Sequence, residues 1–127
     1  MAIAGPLMSE SFPKSAHLRK PADFDRVYES KAYASDDVLV VNAAANYLGL
    51  TRLGLSISRK YGQATVRNRW KRLIREAFRK LLGDLPPGLD LVVRPKRGAD
   101  PVYADIAVSL PQLVARVAKR VAAKQKQ

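Results

Sequence analysis

Cationic side chains are concentrated in one short segment of this chain. Between Arg59 and Lys80 the sequence holds nine basic residues and one acid, Glu76, so these 22 residues carry a net charge of +8. The whole chain of 127 residues carries +12, from 23 Lys and Arg against 11 Asp and Glu. Lys and Arg neutralise phosphates and release counterions, and Arg can bond two phosphate oxygens at once. The segment therefore has the chemistry of a polyanion-binding site.

The same segment has the hydrophobic period of an amphipathic helix from about residue 63 to residue 82. Apolar residues recur every three or four positions. They are Val66, Trp70, Leu73, Ile74, Ala77, Phe78, Leu81 and Leu82. At about 100° per residue, Arg67, Lys71 and Arg75 form one ridge along the edge of this stripe. The other polar positions face outward or to the opposite flank: Asn68, Arg69, Arg72, Arg79 and Lys80.

A solvated helix face is the ordinary alternative for a run of charges. Such faces normally mix the two signs, whereas here like charges repeat four residues apart, which costs an isolated helix about 0.2–0.5 kcal/mol per pair. An anionic partner explains that pattern better. A DNA recognition helix usually follows a positioning helix, but here strand-like segments precede the basic helix, which favours RNA.

The remaining periodicity predicts the elements that position this helix. Pro21 opens a short helix over 22–30, and apolar runs predict strands over 37–43 and 51–58, paired as an antiparallel hairpin. A strand over 89–93 follows the basic helix, and such a long crossover suits parallel pairing with an earlier strand. A last helix reaches residue 123, with Pro111 expected to kink or split it.

The predicted fold class is therefore α+β, a two-layer sandwich with a long basic crossover helix. Its small mixed sheet has about four strands. Along the chain the elements are expected in the order α-β-β(-β)-α-β-α. We expect a flexible tail over 1–16, a single RNA-binding domain over 17–123 and a frayed tail over 124–127. The inward positions predicted for the last helix are Ile106, Leu110, Leu113, Val114, Val117 and Val121.

Composition limits the cellular compartments and the kinds of site that this sequence allows. The chain has no Cys, so disulfides and thiolate sites are excluded, and no run approaches the roughly 20 apolar residues that span a bilayer. The residues 1–7 are uncharged and do not resemble a signal peptide. These features predict a cytoplasmic protein without a membrane partner. His17 is the single His, so no His pair can build a metal site, and no metal ligand is predicted.

The stretch from Arg52 to Arg79 resembles the signature of the bacterial ribonuclease P protein. A strand, a glycine turn and an Arg-Asn-Arg helix occur together, and weaker similarity extends over about 18–120. The residues that carry the signature are Gly62, Ala64, Arg67, Asn68, Arg69, Lys71, Arg72, Arg75 and Glu76.

The resemblance implies the partners and the division of chemistry. A protein of this family binds a large catalytic RNA and precursor tRNA, and the RNA removes the 5′ leader. The chain would then be an accessory subunit of an endoribonuclease, a hydrolase of tRNA processing, with no catalytic residue of its own. No cofactor is implied by a motif, Mg²⁺ is expected through the RNA partner, and no protein partner is predicted. The family also implies a left-handed crossover between two parallel strands.

Carried over to this sequence, the resemblance assigns two sets of residues. Those expected to bind RNA are Arg59, Lys60, Arg67, Asn68, Arg69, Lys71, Arg72 and Arg75. Those expected to line a cleft for the single-stranded leader are Phe24, Tyr28, Val41, Arg67, Lys71 and Arg75. Spacing alone favours Phe24 and Tyr28 as core residues that pack the first helix on the sheet, and they could also be both core wall and cleft floor.

Two other functions stay open from the sequence. A ribosomal or general structured-RNA-binding protein would have the same basic helix and no role in processing. A metal-dependent nuclease would need a cluster of carboxylates or His, and the sequence shows no such motif.

Overall fold

The computed structural model describes residues 14–125. In that range the elements are α1 (Pro21–Glu29), β1 (Ala32–Ser35), β2 (Leu39–Ala45), β3 (Arg52–Leu55), α2 (Ala64–Leu81), β4 (Leu89–Pro95) and α3 (Tyr103–Gln125). Two short 3-10 turns, Lys14–Ala16 and Arg59–Tyr61, precede α1 and α2. The predicted α+β class with a mixed four-stranded sheet is confirmed.

The strand order is β1-β2-β4-β3. β2 pairs antiparallel with both β1 and β4, while β3 pairs parallel with β4. The parallel pair joined by the long helix is therefore confirmed. The predicted hairpin between 37–43 and 51–58 is wrong, because β4 lies between these two strands. The hairpin partner of β2 is instead β1, whose sequence Ala-Tyr-Ala-Ser has a weak strand signal because Ala is depleted in strands.

Helices α2 and α3 pack on one face of the sheet and form the main core. Trp70, Ile74, Ala77 and Phe78 are the buried residues of α2. Val66 is an exception to the predicted apolar stripe, since it is 36% exposed in the first turn of the helix. All six inward positions predicted for the last helix are buried: Ile106, Leu110, Leu113, Val114, Val117 and Val121.

The ends of the domain differ slightly from the prediction. Residues 1–13 lie outside the described residues, but Ala16 is buried and the backbone N–H of Leu18 donates to the carbonyl of Leu53 at 2.8 Å. The folded part thus begins before residue 17. Helix α3 continues through Pro111 without a break and reaches Gln125, so the predicted split does not occur. None of the helices within 14–125 is long and apolar enough to cross a bilayer.

Helix α1 covers part of the opposite face of the sheet. Val27 packs there with Leu18, Ala44 and Val92 in a second, smaller apolar cluster. Because α1 is short, it covers only one end of this face. The rest of the face, which we call the open face, is not covered by a helix among the described residues.

A buried carboxylate ties α1 to the sheet. Asp90 on β4 is fully buried, and Arg52 on β3 donates to both of its oxygens at 2.7 Å. Asn46 donates to Oδ1 at 2.9 Å, and Arg26 of α1 donates to Oδ2. Burial by itself raises the pKa of Asp90, but the hydrogen bonds from Arg52 and Asn46 and the two guanidinium charges together hold it below its ordinary value.

We predict that Asp90→Asn destabilises the fold by about 3 kcal/mol, because two guanidinium groups lose the carboxylate between them. The pKa of Asp90 is depressed in the folded state, so its stabilising effect is present above the ordinary value of 3.8 and is lost as the pH falls through the folded-state pKa. Urea unfolding at pH 7 and at pH 3 measures both effects.

The matched control is Asp37→Asn, which removes a carboxylate at an exposed position. It should change the free energy of unfolding by less than about 0.5 kcal/mol. Equal stability of the wild type and Asp90→Asn at pH 7 would contradict the role given to this carboxylate.

Candidate RNA-binding surface

The open face is built from side chains that alternate along the four strands. Residues paired across neighbouring strands point to the same side, so one row crosses the sheet as Tyr33, Asn42, Val92 and Gly54. Val92 and Gly54 lie beneath α1, so only the end of this row with Tyr33 and Asn42 belongs to the open face. Asn42 is nine-tenths buried in this row, and its Oδ1 accepts no hydrogen bond from the described residues. The next row includes Ser35, Val40 and Arg94 and lies further from α1.

Phe24 of α1 stands at the point where the open face begins. A Cβ atom at Gly54 would lie 2.7 Å from Cζ of Phe24, so only glycine lets the ring lie against β3. The ring borders a cleft of about 660 Å³ at the β3 edge of the sheet. The other residues lining this cleft are His17, Leu18, Arg19, Leu53, Gly54, Leu55, Lys71 and Arg75.

The predicted ridge on α2 supplies cations to this cleft. Lys71 and Arg75, which the resemblance assigns to a leader cleft with Phe24, line this cleft beside its ring. Arg67 lies one turn earlier, where its Nε donates to the carbonyl of Gly62 at 3.2 Å. This bond holds Arg67 against the turn that starts the helix.

The other predicted RNA-binding residues occupy the outer faces of α2 and the turn before it. Asn68 and Arg72 are exposed, and Arg69 donates from Nε to the carbonyl of Pro101 at 3.2 Å. Lys60 lies with its ammonium 5.5 Å from the centre of the Tyr61 ring.

The acids among the described residues do not neutralise this surface. Within residues 14–125, no carboxylate lies within 4.0 Å of any of the seven cations predicted to bind RNA. On α2 an ion pair at 3.4 Å joins Glu76 to Arg79, which was not among the predicted residues. The positive field of α2 is therefore available to an external anion.

A second basic groove, of about 460 Å³, was not predicted from the sequence. Arg94, Lys96 and Arg97 meet Lys60 and Tyr61 there, at the far end of the open face. The signal in the sequence was the basic run Arg-Pro-Lys-Arg, which begins in the last two residues of strand β4. This run is distant in sequence from the turn before α2, so its place beside Lys60 and Tyr61 could not be predicted. The sheet brings the two segments together.

Val41 is a wrong assignment. It is 0% exposed and packs in the main core beneath α2 and α3, so it cannot line an accessible cleft. Because strand side chains alternate, its neighbours Val40 and Asn42 face the open side instead. Tyr28 is half-buried against the smaller apolar cluster, so it is in part a core residue.

The positive charge around the cleft affects the pKa of His17. Burial lowers the pKa of His17 below its ordinary value of 6.5, and the charges of Arg19 and Arg75 lower it further. Both arginines line the same cleft as the imidazole. An anion bound there would oppose this effect.

Comparison with known proteins shows the family to which the chain belongs. The family model described as Ribonuclease P matches residues 12–118. The chain belongs to the ribonuclease P protein family. It is 40% identical over 90 residues to the ribonuclease P protein component of Thermotoga petrophila, which covers 71% of this chain and 77% of the relative. It is 42% identical over 113 residues to that of Marinobacter nauticus, covering 87% and 84%.

Solved structures of the family share the fold. The ribonuclease P protein of Staphylococcus aureus superposes with a TM-score of 0.71 at 33% identity, over 84% of this chain and 97% of that one. The protein from Thermotoga maritima gives a TM-score of 0.71 at 32% identity, over 79% and 96%. The expected family fold is thus confirmed, whereas the contacts with RNA stay predictions.

We predict that the pKa of His17 rises when a single-stranded oligonucleotide fills the cleft, because nearby phosphates favour the protonated imidazole. The chain has one His, so its ring signals can be followed without ambiguity in a proton NMR titration. In Lys71→Ala/Arg75→Ala, which should bind the oligonucleotide weakly, the rise should shrink. An unchanged His17 pKa with bound oligonucleotide would place the RNA elsewhere.

Proposed function

We propose that this chain is the protein subunit of a bacterial ribonuclease P, which assists a catalytic RNA in removing the 5′ leader from precursor tRNA. The outer face of α2 binds the RNA subunit, and the open face of the sheet holds the single-stranded leader. The relatives' shared name, ribonuclease P protein component, supports this assignment.

One observation carries the proposal: the ridge formed by Lys71 and Arg75 lines the same cleft as the ring of Phe24. Aromatic faces stack on unpaired bases without regard to sequence, while neighbouring cations follow the backbone phosphates. Together they match a single strand whose sequence varies, as leaders do from one precursor to another.

The proposal assigns the hydrolysis to the RNA partner. Besides cations, rings and an amide, the candidate surface has the imidazole of His17, but no carboxylate of the described residues lines the cleft beside it to complete a general acid and base pair. Within residues 14–125, no group of three or more His, Asp or Glu side chains converges that could hold a metal ion. In this proposal the Mg²⁺ ions that act in cleavage are bound by RNA, and the protein positions the substrate.

The alternative is a general structured-RNA-binding protein, and a cleavage assay distinguishes it from the proposed function. Such a protein would bind RNA with a steep salt dependence and leave leader cleavage unchanged. The purified chain is mixed with a bacterial ribonuclease P RNA and precursor tRNA at low Mg²⁺. We expect faster cleavage than with RNA alone, and no gain would reject the proposal.

We predict that Lys71→Ala/Arg75→Ala weakens binding of precursor tRNA to the holoenzyme by at least tenfold and leaves binding of mature tRNA unchanged. The reason is that these cations contact only the leader, which mature tRNA lacks. Lys80→Ala is the matched control, since Lys80 lies on the other flank of α2, 5.3 Å from the centre of the Tyr103 ring. Equal losses for precursor and mature tRNA would contradict the leader assignment.

We predict that Arg72→Ala weakens binding of the RNA subunit itself. Arg72 is exposed on the outer face of α2. Losing one phosphate contact should reduce the slope of log K against log salt by about one unit. Binding measured between 50 and 400 mM salt, roughly the range over which such slopes are resolved, gives this slope. The same slope for wild type and variant would remove Arg72 from the interface.

A further inference from the structure

The open face continues past the predicted cleft to an aromatic residue that the proposed function does not use. Tyr33 lies on the edge strand β1, directly opposite Asn42, in the row that ends at Gly54 beneath Phe24. Its side chain is 51% exposed although its neighbours Ala32 and Ala34 are buried. The row therefore has a ring at each end.

A guanidinium group from the other side of the sheet is held against this ring. Arg120 of α3 lies with its guanidinium carbon 6.0 Å from the centre of the Tyr33 ring, and it donates a hydrogen bond to the Tyr33 carbonyl. Arg116, one turn earlier, donates to the carbonyl of Ser35 at 3.4 Å. Both arginines thus reach round the β1 edge and are positioned by backbone acceptors.

The charge on this part of α3 has one sign. Arg116, Lys119, Arg120 and Lys124 are its charged residues from position 116 to position 124, and no acid occurs among them. This surface is separate from the basic face of α2, because α3 lies over β1 and β2 while Lys71 and Arg75 lie at the β3 edge. Cations therefore border the open face at both edges of the sheet.

Protection of the edge strand is the simpler role for these arginines. Native proteins often block the free groups of an edge strand with charged side chains. That role accounts for the bonds to the carbonyls of Tyr33 and Ser35. Edge protection does not require an aromatic ring on the open side that is half exposed and in line with Phe24. A ring and a guanidinium group together form a surface on which a base can stack.

We propose that Tyr33 and Arg120 form a second nucleotide-binding subsite, which stacks one base of single-stranded RNA at the β1 edge. This inference rests on the proposed function, because it extends the path of the leader across the open face. Four strands span three spacings of about 4.8 Å, or about 14 Å. A strand that begins at Lys71 and Arg75 thus reaches Tyr33 within a few nucleotides. Asn42 lies between the two rings in the same row, but it is nine-tenths buried and is not counted among the contacts of this subsite.

The test measures binding of precursor tRNAs whose leaders lengthen by one nucleotide at a time, with the reconstituted holoenzyme. For the wild type we expect one step in affinity at the length that reaches Tyr33. In Tyr33→Ala this step should disappear, with about a tenfold loss for longer leaders, the size expected for one stacked base. Shorter leaders and mature tRNA should bind as they do to the wild type.

Four variants make the result specific. Tyr33→Phe keeps the ring and should retain the step. Tyr47→Ala removes a tyrosine that is 84% exposed outside this row and should also retain it. Arg120→Ala should reduce the step, while Lys119→Ala, which removes a neighbouring exposed cation, should not. When 2-aminopurine is placed at successive leader positions, its fluorescence should be quenched at one position by the ring of Tyr33. This quenching should be absent in Tyr33→Ala.

The outcomes separate this inference from the proposed function. If the wild type shows the step and Tyr33→Ala keeps it, the subsite is wrong and the leader cleft stands. If Tyr33→Ala loses affinity equally at every length, the ring has a structural role and the subsite is again wrong. If the chain does not accelerate leader cleavage at all, the proposed function itself fails.

Discussion

The structure depends on one helix burying its apolar face while nine cations in and beside it remain outside the core. Trp70, Ile74 and Phe78 are almost fully buried, and each large side chain of this kind contributes about 1.5–3 kcal/mol. Repulsion between like charges four residues apart costs only about 0.2–0.5 kcal/mol per pair. Packing on the sheet and on α3 therefore outweighs the repulsion.

The buried Asp90 has the corresponding role on the opposite face. Its carboxylate joins Arg52 of β3 to Arg26 of α1, so it fixes how the short helix lies on the sheet. Phe24 is two residues before Arg26 in the same helix, and its ring reaches β3 where Gly54 leaves room. The position of the cleft wall thus depends on an ion pair that does not itself face the cleft.

The amino-acid pattern predicted what is local and missed what depends on pairing between distant strands. The period of α2, its ridge of cations and the inward face of α3 all follow from spacing within one helix. The hairpin of β2 with β3 was wrong because the pattern of one strand does not specify its partner, and β4 lies between them. Val41 was misassigned by one residue, which in a strand exchanges the two faces. Arg94, Lys96 and Tyr33 join the surface only through the sheet, so no spacing along the chain could bring them together.

The outer face of α2 and the open face of the sheet differ in one respect that bears on the form of RNA each can bind. Both aromatic residues of α2, Trp70 and Phe78, are buried, so its outer face offers cations without rings. Such a face suits the phosphates of folded RNA, whose bases are already stacked on one another. The open face of the sheet has rings at both ends of one row and cations along both edges. Rings stabilise a bound strand only when its bases are unpaired, so this face should prefer a single strand over a duplex. Burial of the helix's own rings thus supports the proposal that α2 binds folded RNA and that the sheet binds the leader.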